Sequence, residues 1–293
     1  MLSSAMNVQD IYAEVGKRYS AAAGGVEAQY ADSVAKAFGY TKEELSDIPQ
    51  HANLGLSCGN PLAIATLREG ETVIDFGSGA GFDAFLAARK VGSNGRVIGV
   101  DMNEDMLKKA EKLKASWGQK NVEFVQSQIT RIALKDGIAD CIISNCVINL
   151  VPEEEKQLAF DEMFRLLKPG GRVAISDILA KGPLPDAINK SMALYVGCIA
   201  GASEVEMYHK YLKEAGFNGI MIQDSGNDLN VYHNEKSDNC CNGLHTCNSD
   251  SAEQDRGCCT DTGYRPTKSD AVNVRDIDFN EWTASYKIFA VKD

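Results

Sequence analysis

The chain has 293 residues, 44% of them hydrophobic, enough to bury the core of one large domain or two small ones. Its formal net charge of −11 argues against nonspecific binding to nucleic acid or to an anionic membrane surface, both of which favour basic patches. No apolar run comes near the roughly 18 residues that span a bilayer, and residues 1–7 lack the basic and apolar regions of a secretory leader, so a cytoplasmic protein is expected.

Residues 8–19 and 30–38 read as short helices, and Thr41 with Glu44 three positions on has the form of a capping box. The apolar run 73–76 ends at a glycine-rich loop and reads as a buried strand, followed by a helix over 83–90. A second strand, 96–100, ends at Asp101. The helix over 104–117 places Met106, Leu107, Ala110, Leu113 and Ala115 at apolar positions. Strands follow over 122–125 and 138–145, then a helix over 153–167, whose acidic start Glu153-Glu154-Glu155 would meet the helix dipole. Lys168-Pro169-Gly170-Gly171 is a sharp stop before a fifth strand, 172–176, and 220–222 and 286–291 read as closing strands. Strands alternating with helices at this spacing imply an α/β fold, a parallel sheet with helices on both faces. Residues 234–270 are rich in Asn, Ser, Asp, Gly and Cys with hardly a large aliphatic, and read as a long mobile insertion. The expected organisation is an N-terminal helical segment (1–54), a core (55–228) and a C-terminal segment (229–293) holding the insertion and the last strand.

The loop Asp75-Phe76-Gly77-Ser78-Gly79-Ala80-Gly81 carries chemistry. A dinucleotide site spaces its glycines G-x-G-x-x-G, so that a helix N-terminus meets a pyrophosphate. Here the spacing is G-x-G-x-G, and a carboxylate two residues before the first glycine would repel a pyrophosphate. It suits a cationic ligand portion instead. The glycines let the backbone approach such a ligand closely, and Asp101 can accept hydrogen bonds from both hydroxyls of a ribose.

Nine cysteines in a reducing compartment point to thiols for metal or redox chemistry rather than to structural disulfides. Cys58, Cys146 and Cys198 each lie beside a segment expected to face the ligand cleft. Three thiols converging there would trap a soft, three-coordinate ion. Cys141, inside the fourth strand, reads as a small buried residue.

This pattern resembles the class I S-adenosylmethionine-dependent methyltransferases over roughly residues 55–217, and 286–291 fits their final strand. The resemblance implies a Rossmann-like, seven-stranded, mostly parallel sheet with an antiparallel last strand, here with N-terminal helices and a Cys-rich C-terminal insertion. It implies a cofactor-binding set of Asp75, Gly77, Ser78, Gly79, Gly81, Asp101, Met102, Ile129 and Asn145. In that set Gly77 and Gly79 line the methionine part, Asp101 holds the ribose and Met102 packs on the adenine. The amide of Ile129 meets the adenine edge, next to Thr130 where related enzymes often carry an acid. Three segments, 54–61, 144–152 and 197–202, are similar in order and position to arsenite methyltransferases, as are 40–47 and 282–292. That similarity makes Cys58, Cys146 and Cys198 the catalytic ligands of As(III), and implies arsenic detoxification as the role.

The physical logic stands beside the resemblance. Trivalent arsenic is soft, and three thiolates leave its lone pair free to attack a sulfonium methyl. Catalysis is then positioning and desolvation, with no general base. Some members of the resembled family carry a further N-terminal cysteine, associated with a disulfide relay that restores trivalent arsenic. Residues 18–25 have none, so other thiols of the chain or an external thiol, glutathione or thioredoxin, would do the reduction. For Cys240, Cys241, Cys247, Cys258 and Cys259 three readings stay open: incidental thiols, arsenic delivery or redox work, and a zinc site, although their spacing is not that of a zinc finger. Tyr12 and Tyr19 either cover the cofactor or pack in the core. Two rival functions remain: a C- or O-methyltransferase acting on a quinone- or sterol-like molecule, and a non-enzymatic arsenic- or metal-sequestering protein.

Overall fold

The computed structural model describes residues 7–234 and 277–293. The insertion and its five cysteines, expected within 234–270, lie outside the described residues apart from the backbone of Asn234. The elements in order are α1 (Val8–Ala23), α2 (Ala28–Ala37), α3 (Lys42–Ser46), α4 (Leu62–Ala65), β1 (Thr72–Phe76), α5 (Phe82–Val91), β2 (Arg96–Asp101), α6 (Glu104–Trp117), β3 (Val122–Gln126) and β4 (Ala139–Asn145). They continue with α7 (Lys156–Leu166), β5 (Leu167–Ala180), α8 (Asp186–Asn189), α9 (Met192–Val196), α10 (Val205–Ala215), β6 (Asn218–Asp224), α11 (Phe279–Trp282) and β7 (Thr283–Val291).

The seven strands form one sheet in the order β3-β2-β1-β4-β5-β7-β6. The first five run parallel, and β7 pairs antiparallel with both β5 and β6. The central strands carry runs of apolar residues because both of their faces are covered: Val73, Ile74, Ile142, Ile143, Val173 and Ile175 are all fully buried. After β1 the chain winds outward through β2 and β3, then returns to place β4 on the other side of β1. That reversal opens a crevice at the carboxyl ends of β1 and β4, where open α/β sheets bind ligands.

The capping box forms as the sequence implies, with Thr41 and Glu44 bonding each other's backbone. Along α6, Met106, Leu107 and Ala110 are buried and Leu113 is half-buried, but Ala115 is exposed, since it lies off the apolar stripe. The helix expected from 153 opens as a 3-10 turn, Glu153–Glu155, before α7. Two of its three acids have side-chain partners rather than only a dipole: Glu155 accepts from Tyr12, and Glu153 from Lys156 and Tyr211. Strand β5 runs through the expected stop, but its register with β4 shifts between Ala139 and Cys141, which face Leu167 and Arg172. The Pro-Gly-Gly segment is therefore a bulge in a continuing strand. Helix α10 has no counterpart in the sequence reading. Its stripe of Tyr208, Tyr211 and Leu212 is buried, and Gly216 closes it in the left-handed region. No helix among the described residues is long and apolar enough to cross a membrane.

Candidate functional site

Strand β1 delivers the chain into the loop 77–81. Gly77 sits at φ +73°, and a Cβ there would fall 2.3 Å from Cγ2 of Val147, so only glycine lets this loop lie against the loop after β4. The Gly79 N–H donates to Oδ2 of Asp101 and the Asn103 N–H to its Oδ1, both at 2.8 Å, which ties the glycine loop to the end of β2. A cavity opens above, lined by Asp75, Gly77, Ser78, Gly79, Asp101, Met102, Ile129 and Asn145 of the expected cofactor set. Gly81 is the exception. It lies outside this lining, and a Cβ there would come within 2.8 Å of Phe85 and Phe124, so its work is close packing of α5 on the sheet. Helix α1 closes the cavity from above with Tyr12, Val15 and Tyr19. It is held there by Asn103, which donates to the Gly16 carbonyl and Ser20 Oγ, and by Lys109, which donates to the Ala23 carbonyl.

Three carboxylates face the cavity. Asp75 is 1% exposed and its Oδ2 has no protein partner, nor does the hydroxyl of Ser78. Burial, reinforced by the charges of Asp83 and Asp101, pushes the Asp75 carboxyl well above the usual range. Burial pushes Asp83 up to about 6, against hydrogen bonds from Tyr40 (2.7 Å) and Asn145 (2.9 Å). Burial also raises Asp101. Three acids lining one cavity, one of them with an unpartnered oxygen, suit a cationic ligand with hydrogen-bond donors. An amino-acid ammonium next to a sulfonium fits that demand.

Asn145 is more a hub than a wall. Its Nδ2 donates to Asp83, to the Tyr40 hydroxyl (3.0 Å) and to the Gly59 carbonyl (3.0 Å), while its Oδ1 accepts the Cys58 N–H at 3.1 Å. It thus couples the acidic end of the cavity to the loop that carries Cys58. Ser285 of β7 donates to the Cys58 carbonyl from the other side. Sequence reading missed Tyr40 and Ser285 as site residues, although both lie in segments whose similarity it noted. Asp83 stood at the start of the helix expected over 83–90, and only that place hinted at a cavity-facing acid.

The three expected cysteines do converge. Sγ atoms of Cys58, Cys146 and Cys198 all lie within 4.8 Å of one another, and all three residues are buried. One expectation is corrected: Cys58 and Cys146 are joined in a disulfide, with their Cα atoms 5.4 Å apart, rather than standing as free thiols. Sulfurs near enough to share one ion are near enough to bond each other when no ion separates them. Cys198 is free. Burial, with the charge of Asp177, pushes its thiol well above the usual range, and it donates to the Cys146 carbonyl at 3.1 Å. Cys146 (φ +59°) and Cys198 (φ +65°) both sit in the left-handed region, which costs a non-glycine residue of order 1–3 kcal/mol and persists where the surroundings impose it. Cys141 is fully buried within β4, as expected, with its thiol pushed up to about 12 by burial.

A second cavity is lined by all three cysteines. Tyr30, Val196, Tyr232 and Phe279 line it, and none of the four was singled out from the sequence as a site residue. Tyr19, Leu54, Leu56 and Cys146 line both cavities, and Tyr19 also packs against the core.

Comparison with known proteins agrees with this geometry. A family described as a methyltransferase domain matches residues 67–216. An arsenite methyltransferase of Halobacterium salinarum is 44% identical over 214 residues, covering 73% of this chain and 54% of that protein. The human arsenite methyltransferase is 33% identical over 173 residues, covering 56% and 45%. The ubiquinone/menaquinone biosynthesis C-methyltransferase UbiE of Salmonella arizonae is 32% identical over 183 residues, covering 57% and 70%. The chain spans about half the length of the arsenite methyltransferases it matches. Among solved structures, an arsenic (III) S-adenosylmethionine methyltransferase from Chlamydomonas reinhardtii shares the fold with a TM-score of 0.56 at 24% identity, covering 89% of this chain and 73% of that one. A phosphoethanolamine N-methyltransferase 2 of Haemonchus contortus does so with a TM-score of 0.57 at 18% identity, covering 79% and 52%. The sheet order, the glycine loop at its switch point and the family match over half the chain lead to one assignment: this chain belongs to the methyltransferase family, in its class I Rossmann-like form.

Proposed function

We propose that this methyltransferase transfers the methyl group of S-adenosylmethionine to trivalent arsenic held by Cys58, Cys146 and Cys198, in the service of arsenic detoxification. The observation that carries the reading is that Cys146 belongs to the walls of both cavities. An ion on its sulfur would stand at the passage between the cofactor space and the thiol space.

Bound S-adenosylmethionine would supply an electrophilic methyl on a cationic sulfur. Asp75, Asp83 and Asp101 suit its cationic end and ribose, and Met102 and Ile129 its adenine. The three thiolates would hold arsenic with its lone pair directed across the passage. Helix α1, through Tyr12, Val15 and Tyr19, would exclude water, which strengthens every charge interaction inside. No proton has to leave the attacking atom, so no base is needed. When the As–C bond forms and the C–S bond breaks, arsenic becomes formally pentavalent. Its return to the trivalent state takes two electrons, which two thiols supply by becoming a disulfide. Glutathione or thioredoxin would then reduce that disulfide.

Cys58 and Cys146 are two of the three ligands, so the disulfide form should be unable to chelate. Protein reduced with a phosphine is expected to bind one arsenite at least roughly 100-fold more tightly than oxidised protein, as about 2.7 kcal/mol of chelation is lost with two of three ligands. Titration of both forms checks this, and equal affinities would remove the cysteines from the site.

The carboxylates give a pH dependence of definite sign. A carboxyl raised in the folded state contributes stability that is fully present below its unfolded value, about pH 4, and is lost as pH rises through the folded value, about 6 for Asp83. A cationic ligand favours the ionised form and lowers these values, so binding should release protons. The affinity for S-adenosylmethionine is expected to rise from about pH 5 to 7. Calorimetry in buffers of differing ionisation enthalpy measures the protons released, and proton uptake would contradict the assignment of these acids.

The direct test incubates reduced protein with arsenite and radiolabelled S-adenosylmethionine and separates the arsenicals. Label on arsenic is the expected result. The likeness to UbiE keeps a quinone-type acceptor as the second reading. Label on a quinol and none on arsenic would replace the first by the second.

A further inference from the structure

Two buried polar side chains that line neither cavity, Asn149 and Lys156, converge on the loop that carries Cys198. Asn149 is fully buried three residues after Cys146. Its Nδ2 donates to the carbonyls of Cys198 (3.1 Å) and Ile178 (2.6 Å) and to Asp177 Oδ1 (3.0 Å). Lys156 is 1% exposed, and its Nζ donates to the Gly201 carbonyl (2.7 Å), Ser203 Oγ (2.6 Å) and Glu153 Oε2 (2.8 Å). A buried ammonium must use its protons, and this one spends two of three on the cysteine loop. Gly201 closes the same contact, because a Cβ there would fall 2.0 Å from the Asn149 carbonyl oxygen. The loop needs this restraint. Cys198 is held at φ +65°, from which a released chain would relax to the right-handed or extended region.

We propose that Asn149 and Lys156 are positioning residues that hold Cys198 where its sulfur completes a three-thiolate site. The inference rests on the arsenic reading. Neither residue has a bond to a sulfur, so each acts only through the place of the loop. Cys58 and Cys146 are anchored elsewhere, Cys58 by Asn145 and Ser285 and the Cys146 N–H by the Ser176 carbonyl at 2.9 Å. Loosening the Cys198 loop should therefore leave a two-thiolate site, with a water or hydroxide oxygen in the third position, and leave the cofactor cavity intact.

The experiment loads the full chain, reduced with a phosphine, with one equivalent of arsenite and counts sulfurs around arsenic by X-ray absorption. Arsenite and S-adenosylmethionine affinities are measured alongside. Wild type is expected to show three sulfurs. Lys156→Met removes the charge and leaves no acid without a hydrogen bond, since the Glu153 side chain is 44% exposed and keeps Tyr211, and buried Asp177, which loses a nearby charge, keeps Tyr208 and Asn149. It is expected to show two sulfurs and one oxygen, arsenite affinity roughly 10- to 100-fold weaker, and cofactor affinity within about twofold of wild type. Ser203→Ala deletes one of the three Lys156 acceptors and carries the test should Lys156→Met not fold. Its expected loss is roughly three- to tenfold, with a sulfur count between two and three. Three sulfurs and unchanged arsenite affinity in a folded variant would overturn the inference. Fewer than three sulfurs in wild type would overturn the arsenic reading beneath it.

Discussion

Cys146→Ser is expected to lower arsenite methylation roughly 1,000-fold or more, about 4 kcal/mol of barrier, while changing cofactor affinity little. Serine keeps the volume of cysteine but offers a hard, weakly acidic oxygen to a soft ion. The ion loses one of three ligands, and with Cys146 it loses the one on the shared wall of the two cavities. Cys58→Ser and Cys198→Ser are expected to fall comparably, because two ligands do not fix the direction of a lone pair. Cys141→Ala serves as the internal comparison. It removes an equally buried thiol from the body of β4 and should leave methylation per folded molecule unchanged. Rates with labelled cofactor, set beside melting temperatures, separate chemistry from folding. Full activity in all three serine variants would make the cluster a structural coincidence.

Gly77→Ala is expected to weaken cofactor binding roughly 100-fold, about 2.7 kcal/mol, and to destabilise the protein by about 2–5 kcal/mol. Two costs combine. The residue sits at φ +73°, and its new Cβ would overlap both γ-carbons of Val147, at 2.3 and 2.7 Å. The loop after β1 must back away from the loop after β4, which pulls Gly79 from Asp101 and displaces the segment that begins with Cys146. Val147→Ala removes the two nearest atoms, so the double variant Gly77→Ala/Val147→Ala should recover part of the stability. It should not recover all of it, because the backbone strain remains. Calorimetric affinity and thermal melts on the two single variants and the double one check this. Additive losses would show that Val147 is not what the glycine avoids.

Much of this was readable in the residues. The buried strands announce themselves as apolar runs, since a parallel strand covered on both faces has no polar side to show. The loop from Asp75 to Gly79 was legible because its glycines and its acid sit at fixed local offsets from a strand end. Cys58, Cys146 and Cys198 were legible as a set by the company each keeps. The packing of Gly81 against Phe85 and Phe124 was not legible, because a glycine that serves a ligand and one that serves a helix contact look the same in a string. Helix α10 was passed over, although its tyrosines and leucine carry a helical stripe.

The amino-acid sequence by itself determined the class of fold, the acidic glycine loop and the presence of three cleft cysteines, because each is written in local period and spacing. Tertiary structure alone decided the rest. It bonded Cys58 to Cys146 across a separation of 88 residues, and it set β7 between β5 and β6 so that Ser285 reaches the Cys58 carbonyl. It made Cys146 a wall of two cavities and turned Asn149 and Lys156, two ordinary polar residues by pattern, onto the loop of Cys198. The reason is physical. Periodicity records which side of its own element a residue faces, whereas a bond, a shared wall or a buried ammonium depends on distances between elements that only the closed packing of the whole chain defines.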